Sequence, residues 1–188
     1  MSDIMLTRIN ISFNFSSTEE LSETPSITSI TASAFVHNGE QEIYAGYVLM
    51  HRITADEKGS YDLLDQMDHD GEIFSFVDLF DSTYQNFKKE VIETLNDEDA
   101  SPDYFLIMDR AEVKKEFRGN SIALKLMEAL LKEYDDILYR TVFLIAQPLQ
   151  FNKHSKDKKL SSEFENLDED VSRNKLFSYY EKLGFKRI

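Results

Sequence analysis

The residues best suited to chemistry form a short turn, Arg118-Gly119-Asn120-Ser121, between a predicted strand and a predicted helix. Residues 105–113 are a dense apolar run typical of a strand, and residues 122–131 carry apolar side chains at helical spacing. Backbone N–H groups in the first turn of a helix have no partner within the helix, and the helix dipole adds partial positive charge there. A strand that enters a helix through such a turn therefore predicts an anion-binding site.

Two carboxylates, Asp109 and Glu112, lie in the predicted strand itself. Strand neighbours alternate between the two faces of a sheet, so residues an odd number of positions apart point in opposite directions. We therefore expect at most one of the two carboxylates to face a given cleft. A solvated surface carboxylate is the alternative interpretation of either residue.

An antiparallel meander is predicted ahead of this strand. Residues 6–15, 29–37 and 43–53 alternate or are rich in β-branched side chains, and Asn38-Gly39-Glu40 joins the second run to the third. An Asn-Gly pair between two such runs is a strong hairpin signal. Gly46 lies inside the third run, which indicates a bulge or a close backbone approach.

Helices and further strands complete a predicted single domain over residues 1–188. Apolar residues at spacings of three and four predict one long helix over 72–95, with its stripe in the core or, alternatively, lining a substrate groove. The run 141–146 predicts a strand buried on both faces. The charged stretch 152–170 predicts an exposed loop with a helix starting in its second half.

The last residues predict a helix over 174–182, a cap at Gly184 and a closing strand over 185–188. The resulting fold class is α/β (α+β), with a mixed central sheet flanked by helices.

Composition narrows the function classes. The 188 residues include 35 acidic and 21 basic side chains, for a formal net charge of −14, and no cysteine. Such a charge disfavours nucleic acid and anionic membrane as partners and favours cationic substrates such as amines; solubility alone is the plainer explanation. Without a signal-like N-terminus or a long apolar run, a cytoplasmic protein is expected.

A metal site is not expected. Asp68, Asp70 and Gly71 match the third, fifth and sixth positions of a calcium-binding loop, but Gln66 and Val77 stand where its first and last ligands are needed. The four histidines are far apart in sequence.

Two motifs carry a family resemblance. RGNSIA, residues 118–123, resembles the acyl-coenzyme A signature of the GNAT N-acetyltransferase superfamily, in which Gln or Arg is followed by two residues, Gly, one residue, and Gly or Ala. YEKLGF, residues 180–185, resembles a second signature, in which a helix leads into a final strand. The stretch PLQF, residues 148–151, is also similar to a set of uncharacterised GNAT-like proteins.

The resemblance implies a splayed sheet that holds acetyl-coenzyme A between its central strands. The diphosphate would bind the backbone amides of Arg118, Gly119, Asn120, Ser121, Ile122 and Ala123, and the backbone of Val113 would pair with the pantetheine arm. Tyr180 would protonate the leaving thiolate. Glu112, rather than Asp109, is the preferred base. A homodimer is common in such folds.

Two positions depart from the family pattern. Ser121 stands where the family has Gly; if its φ is positive, any Cβ costs about 1–2 kcal/mol. The family's asparagine seven residues before the tyrosine falls on Arg173 here, with Asn174 one position late.

The sequence thus predicts an acetyl-coenzyme A dependent N-acetyltransferase that acts on a primary amine of a small molecule, peptide or protein. The alternatives are an inactive GNAT-fold module that binds coenzyme A, or an acidic protein-interaction module.

Overall fold

A computed structural model describes residues 5–15, 26–37, 41–54, 67, 73–98, 100, 102–133, 141–146 and 168–188. The chain divides into two compact units, Met1–Leu144 and Ile145–Ile188. The prediction of a single domain stays a prediction.

The first unit is built on a five-stranded mixed sheet with the order β1-β2-β3-β4-β5. Its strands are β1 Met5–Phe15, β2 Ser26–His37, β3 Glu42–Thr54, β4 Tyr104–Val113 and β5 Val142–Leu144. Neighbours from β1 to β4 are antiparallel, and β5 runs parallel to β4. The predicted meander, the central strand and the α+β class are confirmed, whereas the Asn38-Gly39-Glu40 turn lies outside the described residues.

Three α-helices are described: α1 Lys89–Leu95, α2 Ile122–Glu133 and α3 Glu169–Glu181. None of the described helices is long and apolar enough to cross a lipid bilayer.

One face of the sheet is covered by α2, which lies against β1, β2, β3 and β4. Alternate side chains of β2 and β3 point to this face and are buried: Ile30, Ala32, Ala34, Val36, Val48 and Met50. The helix buries Ile122, Leu126, Met127 and Leu130. The predicted amphipathic helix is confirmed, and its apolar stripe faces the sheet as the spacing requires.

The opposite face, the phenylalanine face, is defined by a cluster of buried rings: Phe76, Phe80, Phe87, Phe105 and Phe143. Ile53 of β3 and Ile107 of β4 contribute to the same cluster, as does Val91 of α1. The apolar stripe of residues 72–95 is therefore part of the core, as predicted.

The prediction of one helix over residues 72–95 is wrong. A 3-10 helix, Phe74–Leu79, is followed by a loop and then by α1. Phe80 and Phe87 form an isolated antiparallel bridge across this loop. Both rings reach the core, so the chain satisfies the apolar pattern without a continuous helix.

Local hydrogen bonds explain the interruption. The Asp81 carboxylate accepts from the backbone N–H of Thr83 at 2.9 Å and from its hydroxyl at 2.6 Å. Such side-chain bonds offer the backbone an alternative to the helix, and Tyr84 takes a φ of +57°. The bonds from Thr83 also hold the pKa of Asp81 below its ordinary value.

Gly46 occupies a position that excludes a side chain. A Cβ built on Gly46 would lie against the carbonyl oxygen of Glu112 and 2.8 Å from Cα of Val113, both backbone atoms of β4. The expected close backbone approach is confirmed. An irregularity in the β2–β3 register between Ala34 and Phe35 lies at the same place.

Two predicted strands differ from the structure. β5 spans Val142–Leu144, so it is shorter than the predicted run 141–146, and only Phe143 within it is fully buried. Residues 185–188 form no strand, so the closing strand is wrong. A final strand needs a neighbouring edge, and its few residues carry no information about which edge is free.

Candidate functional site

The turn between β4 and α2 has the backbone that its sequence predicts. A 3-10 helix, Lys115–Phe117, follows β4, and the chain then turns sharply into α2. Gly119 has φ +83° and Ser121 has φ +56°. The Ser121 carbonyl accepts the N–H of Lys125 at 3.0 Å and so begins the helix. The N–H groups just after Ser121 are the ones that α2 cannot bond internally.

Side chains of the turn hold its shape. The Asn120 amide donates to the carbonyl of Phe117 at 3.0 Å and to that of Arg118 at 3.3 Å. Arg118 Nε donates to the carbonyl of Val113, the last residue of β4, at 2.9 Å. Val113 and residues 118–123, which the family resemblance assigns to one site, therefore belong to a connected structure with a guanidinium at the end of the strand.

Ser121 is strained by its positive φ. A side chain in the left-handed region costs about 1–2 kcal/mol relative to the right-handed one. The sequence analysis made the cost of a side chain at position 121 depend on the sign of φ. Because φ is positive, glycine would be the favoured residue here for its backbone conformation. Ser121 is exposed, so its hydroxyl has room to reach a ligand.

Replacing Ser121 with glycine should stabilise the protein by about 0.5–1 kcal/mol. Relief of the positive φ exceeds the added flexibility of the unfolded chain, which offsets part of the gain. Urea denaturation of Ser121→Gly measures the change. Ser121→Ala is the matched control, because it removes the hydroxyl and keeps Cβ; stabilisation by alanine as large as that by glycine would contradict the strain.

β4 extends beyond β5 at the end that leads into this turn. β5 pairs with β4 only from Leu106 to Met108, whereas β3 pairs with β4 as far as Val113. In the described part of the chain, residues 109–113 have no strand partner on the β5 side. The N–H of Lys114 donates to the carbonyl oxygen of Ala45 in β3 at 2.9 Å, so the backbone groups of Lys114 point toward β3. In an extended strand, adjacent residues direct their backbone groups to opposite edges. The N–H and C=O of Val113 therefore point to the open edge.

The two strand carboxylates lie on the same face, so the expectation that they diverge is wrong. Leu49 pairs with Arg110 and the next residue, Met50, pairs with Met108, which leaves Asp109 as an extra residue in β4. A β-bulge of this kind interrupts the alternation of side chains. Asp109 and Glu112 both point to the phenylalanine face, beside neighbours on β3.

Glu112 shares a hydrogen-bonded group with Tyr47 and Arg110. Tyr47 is its register partner on β3, and the Tyr47 hydroxyl is hydrogen-bonded to both Glu112 and Arg110. Burial raises the pKa of Tyr47, so the phenol is protonated at neutral pH. A carboxylate placed here can accept a proton, but it already accepts the hydrogen bond of the phenol.

Asp109 faces a histidine that sequence reasoning did not place in the site. Its Oδ2 lies 3.7 Å from Nε2 of His51, and Nδ1 of His51 lies 3.1 Å from Oγ of Ser29. His51 is 4% exposed. These residues come from three adjacent strands. Sequence reasoning could have linked Ser29 to His51 only by aligning β2 with β3, which pairs these two residues.

Tyr180 lies in the second unit, at the C-terminal end of α3. Burial, and then the charge of Tyr179, raises the pKa of Tyr180 to about 12, so it holds its proton at neutral pH. Its ring contacts the ring of Tyr179 edge-on, with centroids 5.6 Å apart. Adjacent residues do not share a face of a helix, yet these two rings meet.

The helix ends as predicted at a glycine cap. Gly184 has φ +92°. Its N–H donates to the carbonyl oxygen of Glu181, and the N–H of Phe185 donates to the carbonyl oxygen of Tyr180. This pair of bonds is the Schellman arrangement, which the packing of Phe185 on Tyr180 accompanies. Upstream, Arg173, at the family's asparagine position, forms an ion pair with Glu169 at 2.8 Å.

No group of three or more metal-ligating side chains occurs among the described residues. Gln66, Asp68, Asp70 and Gly71, the residues compared with a calcium-binding loop, lie outside the described residues, and so does PLQF at 148–151.

No family model matches this chain, and neither curated proteins nor solved structures include a significant match.

Proposed function

We propose that this protein is an acetyl-coenzyme A dependent N-acetyltransferase that transfers the acetyl group directly to a primary amine. One observation carries the proposal: β4 runs past β5, residues 109–113 have no strand partner on that side among the described residues, and β4 then enters a positive-φ turn at the start of α2. An extended thioester arm attached to a diphosphate, as in acetyl-coenzyme A, is complementary to this combination.

The diphosphate is assigned to the turn. It needs several converging N–H donors, which Gly119 to Ala123 and the helix dipole supply. Arg118 adds a positive charge, and its contact with the Val113 carbonyl places this charge at the end of the edge.

The pantetheine arm is assigned to the open edge of β4. The N–H of Val113 points there, as an added strand would require. The carbonyl of Val113 is already bonded to Arg118, so the arm would take the N–H while Arg118 keeps the carbonyl.

Acyl transfer also requires proton movements. An alkyl amine with a pKa near ~10.4 must lose a proton to attack, and the thiolate leaves more readily when protonated. Carboxylates of β4 supply the acceptor. Tyr180 is proposed as the donor on the strength of YEKLGF, and its pKa of about 12 keeps it protonated for that role.

A coenzyme A-binding module without activity is the second candidate. The strain at Ser121, with φ +56°, favours this candidate, because the turn lacks the glycine that a positive φ favours at this position. The net charge of −14 is the observation behind the third, an acidic protein-interaction module.

Thermal unfolding with acetyl-coenzyme A tests the proposal. Ligand at about 100 times its Kd should stabilise the protein by about 2.7 kcal/mol and raise Tm by roughly 5–10 °C. S-acetylpantetheine, which lacks the diphosphate, is the matched control and should shift Tm much less. No shift with acetyl-coenzyme A would exclude both the enzyme and the coenzyme A-binding module.

Turnover measurements distinguish the active enzyme from the inactive coenzyme A-binding module. Release of free thiol across a panel of amines is expected, with a reduction on the order of 10²-fold in Tyr180→Phe. Binding without turnover across the panel would favour the inactive module, and full turnover in Tyr180→Phe would remove Tyr180 from the mechanism.

A further inference from the structure

Three polar side chains from adjacent strands form a continuous row on the phenylalanine face. Ser29 of β2 is the register partner of His51 of β3, and its Oγ lies 3.1 Å from Nδ1 of the histidine. On the other side of the ring, Nε2 of His51 lies 3.7 Å from Oδ2 of Asp109 in β4. A hydroxyl, an imidazole and a carboxylate in this order have the arrangement by which hydrolases activate a serine nucleophile.

The β-bulge of β4 supplies the carboxylate of this row. Leu49 pairs with Arg110 and Met50 with Met108, so Asp109 has no register partner, and its side chain turns to His51. Bulges are frequent next to active sites, where they re-aim a side chain. Oδ2 of Asp109 is buried and accepts no hydrogen bond from any described residue. A buried oxygen in this state needs a donor, and the Nε2–H of His51 supplies one when the separation shortens, as such bonds do when substrate binds.

The tautomer of His51 determines whether the serine is activated. When Nε2 carries the proton and faces the carboxylate, Nδ1 has a free lone pair and accepts the hydrogen bond of the Ser29 hydroxyl. The imidazole is then ready to take the hydroxyl proton. His51 is 4% exposed, so the sheet holds its ring in place, whereas Ser29 is half-buried. The nucleophile is therefore at the more accessible end of the row.

We propose that Ser29 is a nucleophile that hydrolyses small carboxylic esters through a covalent acyl-serine intermediate, with His51 as its general base. Asp109 is the positioning residue, which holds the Nε2–H tautomer and stabilises the imidazolium. This activity goes beyond the proposed acetyl transfer, because it uses neither the turn at 118–123 nor Tyr180. Its three residues all belong to the first unit.

The reaction takes two steps. In the first, Oγ of Ser29 forms a bond to the ester carbonyl carbon and gives its proton to Nδ1 of His51, while the carbonyl π pair moves to oxygen. The pair then returns, the bond from this carbon to the alkoxy oxygen breaks, and the alcohol leaves with the proton from Nδ1. In the second, water gives a proton to Nδ1 and adds to the acyl carbon. The bond to Oγ then breaks, Oγ takes the proton back, and the carboxylic acid is released.

A fluorophosphonate probe tests the nucleophile, because activated serine hydroxyls displace its fluoride and form a stable adduct. We expect an adduct at Ser29, located by tandem mass spectrometry of the digested protein. Ser33 is the internal control: it lies on the same face of β2 and is also half-buried, but its register partner is Tyr47. An unlabelled Ser29, or equal labelling of Ser33, would overturn the proposal. The measurement uses the unaltered protein, so it decides the question even where a variant fails to fold.

Hydrolysis of para-nitrophenyl acetate tests turnover. Ser29→Ala should reduce the rate to that of the ester in buffer, and His51→Gln should reduce kcat on the order of 10²–10⁴-fold. Ser33→Ala is the matched control and should keep the wild-type rate, with near-UV circular dichroism reporting the fold of each variant. Full activity in Ser29→Ala, or equal losses in the two serine variants, would contradict an acyl-serine intermediate.

The positioning role of Asp109 has a spectroscopic readout. NMR of the imidazole nitrogens should show His51 as the Nε2–H tautomer, with its signals identified by their loss in His51→Gln. Asp109→Asn presents an amide N–H to Nε2, which favours the Nδ1–H tautomer and should reduce kcat on the order of 10³–10⁴-fold. An Nδ1–H tautomer in the wild type, or an unchanged tautomer in Asp109→Asn, would overturn this assignment.

Discussion

Replacing Gly46 with alanine should destabilise the protein by about 3 kcal/mol. The new methyl group would contact the backbone of β4 at Glu112 and Val113, with Cα of Val113 only 2.8 Å away. Backbone atoms of a central paired strand cannot rotate away as a side chain tip can, so β3 and β4 must separate locally. Urea denaturation, with Cm and m compared to wild type, measures the loss.

Gly119→Ala provides the matched comparison. Gly119 has φ +83°, but a Cβ there meets no atom within 4 Å, so the cost is backbone strain alone, about 1–2 kcal/mol. The larger loss at Gly46 would identify steric exclusion as its cause. If the unfolding free energy of Gly46→Ala were within about 0.5 kcal/mol of that of the wild type, β3 and β4 would instead tolerate a local separation at the pair Gly46–Val113.

Replacing Phe105 with alanine should cost about 3–5 kcal/mol, the range for a large buried ring in a packed core. Phe105 is fully buried and contacts three rings edge-on, with centroids 5.9 Å from Phe80, 5.8 Å from Phe87 and 5.8 Å from Phe143. These rings join β4, β5 and the loop before α1. The cavity therefore removes contacts from all three elements at once, and chemical denaturation reports the loss.

Phe74→Ala is the control for the aromatic substitution. Phe74 is 46% exposed, so its removal should change the unfolding free energy by less than about 1 kcal/mol. If both variants lost similar amounts of stability, the phenylalanine cluster would not be the main support of this face.

Strand and helix identities followed from local patterns. Alternation in residues 6–15 and the Asn-Gly pair between the next two runs predict β1, β2 and β3, and the spacing from Ile122 to Leu130 predicts α2. Each pattern reports which side of an element is buried, and that preference acts over neighbouring residues. For the same reason Gly46 and Gly184 could be assigned special backbone roles before the structure was known.

The errors arose where a local signal competed with another or needed a distant partner. Apolar spacing over residues 72–95 predicts a helix, but the bonds between Asp81 and Thr83 interrupt it. The residues after Gly184 are predicted as a strand because they follow the helix cap, although a strand also requires a free edge to pair with.

The sequence by itself determined the turn at residues 118–121, because a strand, a glycine and an amphipathic helix in succession specify it locally. It also identified Asp109 and Glu112 as the carboxylates of the central strand. Only the tertiary structure decided their relation. The extra residue in β4 is visible only against the register of β3, and it turns both carboxylates to one face.

The same pairing brings His51 and Ser29 to Asp109 from two other strands. Such contacts depend on how separate strands align, and cross-strand alignment is set by burial of the whole sheet rather than by any short stretch of sequence.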